Sequence, residues 1–140
     1  MPKISTFEDL DIWKNARELC KLVYAITSAE PFNKDYRFRD QIRASSGSIM
    51  DNIAEGFERE GNKEFLQFLS IAKGSCGETR SQSYRAYDFR YITEDVLNDL
   101  IEKTTNLSKQ ISNFMTYLRK SDYKGTKYKN TALVQRSKIQ

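Results

Sequence analysis

Histidine is absent from all 140 residues, and this absence excludes more chemistry than any other property of the composition. Without an imidazole no Ser-His-Asp or Cys-His nucleophile can be built, and neither can the Glu-x-x-His pairs of a di-iron helical bundle. Only two cysteines occur, Cys20 and Cys76. They lie far apart inside helical patterns, which implies neither a disulfide framework nor a metal knuckle and fits a reducing cytoplasm. A zinc site would have to combine those two thiols with carboxylates, an uncommon donor set. There are two prolines and six glycines, with no glycine-rich phosphate loop and no low-complexity tract. No run approaches the ~18 apolar residues of a membrane span, and residues 1–5 carry no signal-type apolar stretch. The expectation is a cytoplasmic, soluble protein with no membrane partner, no cofactor, no metal and no enzymatic activity.

The alternation that marks strands is missing too, and helical periodicity takes its place. Ser5 with Glu8, or Thr6 with Asp9, forms a capping-box pattern for a helix that starts near residue 6. It runs through Trp13, Ala16, Cys20, Val23 and Thr27 until Glu30-Pro31 ends it. Residues 31–35 read as a loop. The second helix spans residues 36–60, with Gly61 as a left-handed C-cap and Asn62 as the next N-cap. The third carries Phe65, Phe68, Leu69, Ala72, Cys76, Thr79, Ser83 and Ala86 on one face and ends near Tyr91. Thr93 caps a fourth, whose Leu97, Leu100, Thr104, Leu107, Ile111, Phe114 and Leu118 keep steps of three and four. Four helices of roughly 24 to 30 residues with short loops give an all-α, up-down-up-down four-helix bundle over residues 1–120.

Residues 121–140 carry Lys124, Lys127, Lys129, Arg136 and Lys138 against Asp122 alone. Five cations against one anion account for the whole net charge of +4, so residues 1–120 balance at zero. The segment reads as a basic, disordered tail.

Within the second helix, Gln41, Ser45, Ser48, Asn52, Glu55 and Arg59 follow one another at steps of three and four, the spacing of a single stripe. Phe38, Ile42, Ile49, Ile53 and Phe57 form an apolar stripe beside it. The polar stripe is thus expected against a core or an interface, where each group needs a hydrogen-bond partner. Gly47 precedes Gly61 by 14 residues and Gly74 follows it by 13, which sets two small-residue patches at one level of neighbouring antiparallel helices. Gly47, Gly74 and Gly77 together forfeit roughly 3 kcal/mol of helical stability, so close backbone packing around Gly47, Ser48, Gly74 and Ser75 is expected to offset it. With no base beside the serines, this reads as a structural seam rather than a catalytic groove. Asn52 and Glu55 read as a buried amide and carboxylate that fix helix register or tie subunits together.

These residues carry a resemblance that covers roughly residues 7–118. Phe7, Leu10, Trp13 and Ala16, then Gln41-Ile42-Arg43, Ser48-Ile49, Asn52-Ile53-Ala54-Glu55-Gly56 and Arg59, then Lys63-Glu64-Phe65, Phe68-Leu69, Ile71-Ala72, Gly74-Ser75 and Glu78 are similar to the 23S ribosomal RNA intervening-sequence proteins. That four-helix-bundle family is named after bacterial reading frames inside ribosomal RNA insertions. The resemblance implies a ring-like homo-oligomer, a homopentamer, and a relation to the accessory protein of diversity-generating retroelements, which is linked to nucleic-acid binding. The chain departs from the family pattern at Ala44, where a second basic residue is usual, and at Met50, where proline is usual. The first change weakens a phosphate-binding face, and the second leaves the helix without a proline kink.

Two binding functions follow. For RNA or DNA the candidate cations are Arg37, Arg39 and Arg43 on the second helix, Arg80, Arg85 and Arg90 on the third, and Lys124, Lys127 and Lys129 in the tail. Tyr84, Tyr87 and Tyr91 share a stripe with Arg80 and offer rings for stacking. The alternative is a scaffold that binds a protein partner such as a reverse transcriptase.

Overall fold

The structure, a computed structural model, describes residues 4–123. Among them four helices form, α1 over Asp11–Ser28, α2 over Tyr36–Glu58, α3 over Asn62–Asp88 and α4 over Glu94–Tyr123, and no strand. They pack in up-down-up-down order, α2 against α1 and α3, and α3 against α4, with a smaller contact closing α1 onto α4. Leu19, Ile42, Ile49, Ile53, Leu69, Leu100, Ile111 and Phe114 fill the middle, all nearly or wholly closed to solvent. The apolar stripes of all four helices therefore meet in one core.

The helix ends differ from the sequence expectation in several places, each for a local reason. The chain does not start α1 near residue 6. Asp9 accepts from the Ser5 and Thr6 amides at 2.9 and 3.1 Å, closing a 3-10 turn over Phe7–Asp9. Extended Leu10 then drops its side chain wholly into the core before α1 begins. At 18 residues, α1 is the shortest helix, below the 24 to 30 expected. The loop at 31–35 holds another 3-10 turn, Phe32–Lys34, and Phe32 is fully buried. Asp35 caps α2 by accepting from the Phe38 amide at 3.3 Å.

At the α2–α3 hairpin, α2 stops at Glu58. Gly61 is not a left-handed C-cap: its φ of 96° and ψ of 151° place it in an extended conformation open to glycine, and it stands as N-cap of α3. Asn62 is accordingly the first residue of α3 rather than its cap, and its amide reaches the Leu118 carbonyl at 3.4 Å. The α3 helix ends at Asp88, three residues before the expected Tyr91. There Arg90 takes φ 65°, and the Arg90 and Tyr91 amides return to the Tyr87 and Ala86 carbonyls at 2.9 Å each. This is a Schellman cap with arginine in the position that usually takes glycine. The α4 helix runs three residues past the expected boundary at 120, and Ser121 is buried. The rest of the basic tail, with Lys124, Lys127 and Lys129, lies outside the described residues.

Both cysteines are free. The Cys76 Sγ donates to the Thr104 carbonyl at 3.0 Å, and burial pushes its thiol up to about 11. Such a thiol is a packing group rather than a nucleophile.

Candidate nucleic-acid interface

The polar stripe of α2 meets α3, but only its middle is enclosed. Ser45 donates to Gln82 Oε1 at 2.5 Å and lies 2.8 Å from the Thr79 hydroxyl. Ser75 donates to the Ser48 hydroxyl at 2.9 Å, which fixes the register of the antiparallel pair. Asn52 bonds within its own helix, to the carbonyl and hydroxyl of Ser48 at 2.7 and 2.9 Å. The ends of the stripe face solvent: Gln41, Glu55 and Arg59 are exposed, and Glu55 pairs with Arg59 at 3.1 Å across one helical turn. Glu55 is therefore not a buried carboxylate. Glu78 is exposed as well and accepts weakly from the Gln82 amide at 3.4 Å.

The expected close contact at Gly47 and Gly74 is also overturned. A Cβ added at Gly47, Gly74 or Gly77 would meet nothing within 4 Å. The following residue on each helix, Ser48 and Ser75, enters the seam, while Gly47 and Gly74 border open space, Gly74 one turn beyond exposed Ile71. Gly56 is the glycine that packs. A Cβ there would lie 2.7 Å from Phe68 Cβ and 3.0 Å from Phe65 Cδ1. Within the Asn-Ile-Ala-Glu-Gly run, the glycine therefore serves close packing at the hairpin end, where Phe65 stands edge-on to Phe57 and Phe114.

At the opposite end of α2 the arginines gather. Arg43 places its guanidinium 4.4 Å from the centre of the Tyr24 ring and donates to the Thr27 and Ser28 hydroxyls at 2.8 and 3.1 Å. Arg85 reaches from α3 across the Phe38 ring at 4.4 Å and donates to the Gln41 amide oxygen at 3.3 Å. Arg39 lies 4.9 Å over Tyr36, donates to the Asn33 carbonyl at 3.3 Å and pairs with Asp40 at 3.0 Å. Among the described residues, no carboxylate lies within ion-pair distance of Arg43 or Arg85. Their charges are held in place by rings and neutral oxygens and remain uncompensated. Arg37 and Arg90 are exposed at the same end, on the first turn of α2 and in the α3 cap. Arg80 lies farther along α3 and donates to Thr105 of α4 at 3.3 Å, away from this group.

Of the three tyrosines expected to stack, Tyr84 and Tyr87 are exposed. Tyr91 instead packs against Phe32, Phe38 and Phe89, and its hydroxyl donates to Asp35 at 2.8 Å. That hydrogen bond raises its phenol above the ordinary tyrosine value. Sequence inspection missed Tyr24 and Tyr36, the most exposed large apolar residues of the fold at 62% and 65%. The available signal was the helical step: Tyr36 precedes Arg39 by three, and Tyr24 follows the core residue Val23, so it leaves the core face.

No helix among the described residues is long and apolar enough to cross a membrane, and no three His, Cys, Asp or Glu residues among them cluster as a metal site requires. No curated protein is significantly similar to the chain. A crystal structure from Bacteroides thetaiotaomicron, of a protein with unknown function from the S23 ribosomal protein family, shares the fold. It matches with a TM-score of 0.68 at 21% identity, over 74% of this chain and 97% of its own. A sequence model of the 23S rRNA-intervening sequence proteins matches residues 8–113. With that match across three of the four helices and most of the fourth, the chain belongs to the 23S rRNA-intervening sequence protein family.

Proposed function

We propose that the protein is a non-enzymatic, cytoplasmic nucleic-acid-binding protein that works as a ring-like homo-oligomer, a homopentamer. The observation that carries the binding is the pair Arg43 and Arg85, two immobilised guanidiniums with no carboxylate at ion-pair distance among the described residues. A fixed, uncompensated cation close to the surface attracts phosphate without first breaking an ion pair. Arg37 and Arg90 extend the positive end, and Lys124, Lys127 and Lys129 add a second, sequence-independent attraction. A ring repeats each patch around its axis, which converts a modest site into a multivalent one. Support for the ring comes from α3, where exposed Gly74 and Gly77 follow exposed Ile71 within two turns, and from the open space beside half-buried Gly47 on α2.

The test is an electrophoretic shift with RNA and with DNA over a salt series, together with light scattering for the mass. Binding should weaken steeply with salt, with a slope of about −0.9 for each phosphate contacted on duplex DNA. Truncation after Tyr123, which spares the buried Ser121, should flatten that slope without unfolding the bundle. Absence of binding at low salt would favour a scaffold for a protein partner, such as a reverse transcriptase. Exposed tyrosines beside arginines would equally suit that role.

A further inference from the structure

Tyr36, Arg39 and Arg43 lie at steps of three and four on one stripe of α2, and Arg43 crosses to the Tyr24 ring on α1. The result is a ring and two cations along about 10 Å of α2, at 1.5 Å per residue, with the Tyr24 ring beyond them on α1. We infer that this row selects single-stranded over double-stranded nucleic acid, with bases stacking on Tyr24 and Tyr36 while Arg43 holds phosphate. The inference rests on the nucleic-acid function proposed above and names the form of ligand that the same site takes.

The physical basis is the state of the two rings. Each has a guanidinium near it, at 4.4 Å for Tyr24 and 4.9 Å for Tyr36, yet both residues stay more than three-fifths exposed. Neither ring is a core residue, and the cation beside each restricts where it can turn. In a duplex the base faces are already stacked on one another, so exposed rings gain nothing and only the arginines contribute. In a single strand a base can leave its neighbour for a ring, and this stacking tolerates any sequence because every base has a π face. From Tyr36 to Arg43 the row spans about three base steps at ~3.4 Å each, and the Tyr24 ring lies beyond Arg43, so a strand that stacks on both rings passes its phosphates over the arginines. Arg39 is partly neutralised by Asp40 at 3.0 Å, so Arg43, which has only hydroxyls and a ring as partners, supplies the free charge.

The test uses the full-length protein and fluorescence anisotropy at low salt. The probes are a labelled 20-nucleotide single strand, in RNA and DNA forms, and a blunt duplex of the same length. The single strand should bind about tenfold more tightly than the duplex. The double variant Tyr24→Ala with Tyr36→Ala should bring that ratio close to one, while Tyr24→Phe with Tyr36→Phe, which keeps both rings, should preserve it. Duplex binding as tight as single-strand binding, or a preference that survives loss of both rings, would overturn the inference and leave the nucleic-acid function standing. Absence of binding to every probe would overturn both together.

Discussion

Arg59 and Arg43 stand at opposite ends of α2, and each rests on an aromatic ring, 5.1 Å from Phe68 and 4.4 Å from Tyr24. Only Arg59 also has a carboxylate, Glu55 at 3.1 Å. At the hairpin end the charge is matched and the packing is tight, with Gly56 admitting Phe68 and Phe65 to the backbone of α2. At the far end the charge is left open and the rings face water. The same pair of residue types is thus surface cover in one place and an unspent attraction in the other; the difference lies in what completes the cation's shell.

The largest expected effect breaks the tight end. Gly56→Leu must displace Phe68 Cβ, 2.7 Å from the new Cβ and anchored next to its own backbone, so the variant should lose about 3 kcal/mol in denaturant unfolding. An unchanged midpoint would mean that the hairpin end is loosely packed. Next comes the open end: Arg43→Ala with Arg85→Ala should weaken nucleic-acid binding at least about tenfold, near 1.4 kcal/mol, and reduce the salt slope by roughly 1.8 on duplex DNA. Arg59→Ala should leave both nearly unchanged. Equal losses from the two would erase the distinction between the ends.

A smaller effect concerns the outward glycines. Gly74→Ala adds a methyl into open space and should stabilise the dilute protein by up to about 1 kcal/mol through helix propensity alone. If it lowers the mass in light scattering instead, a second copy covers that face. The smallest is Arg90→Gly, which relieves a left-handed arginine in the α3 cap. It should gain about 0.5 to 1 kcal/mol in stability while slightly weakening binding.

The bundle was legible because each helix repeats its apolar step many times, as Leu97 to Leu118 do, and errors at single positions cannot hide that pattern. The seam's register was nearly legible from Gly61 alone, since Ser48 does meet Ser75. Which residues entered the seam was not. One position along a helix turns a side chain by ~100°, so placing Gly47 and Gly74 in contact instead of their neighbours inverted the reading of three glycines. Glu55 failed because a shared stripe does not guarantee shared burial: Ser45 is enclosed by Thr79 and Gln82 of α3, whereas Glu55, ten residues on, is exposed. Phe32 was hidden because a loop residue has no period to reveal its burial. Tyr24 and Tyr36 were hidden because their partnership with Arg43 and Arg39 depends on how α1 meets α2 and on rotamers, neither of which spacing alone encodes.

Asn62 at the start of α3 reaches the Leu118 carbonyl near the end of α4, so α4 brings the chain to the hairpin end of the rod. Arg43 lies 15 residues before Glu58, where α2 ends, so it stands about 22 Å along the rod from that end. The rod is therefore polar in charge, open at one end and matched at the other, and a polyanion held at Arg43 is held well away from the place where α4 ends.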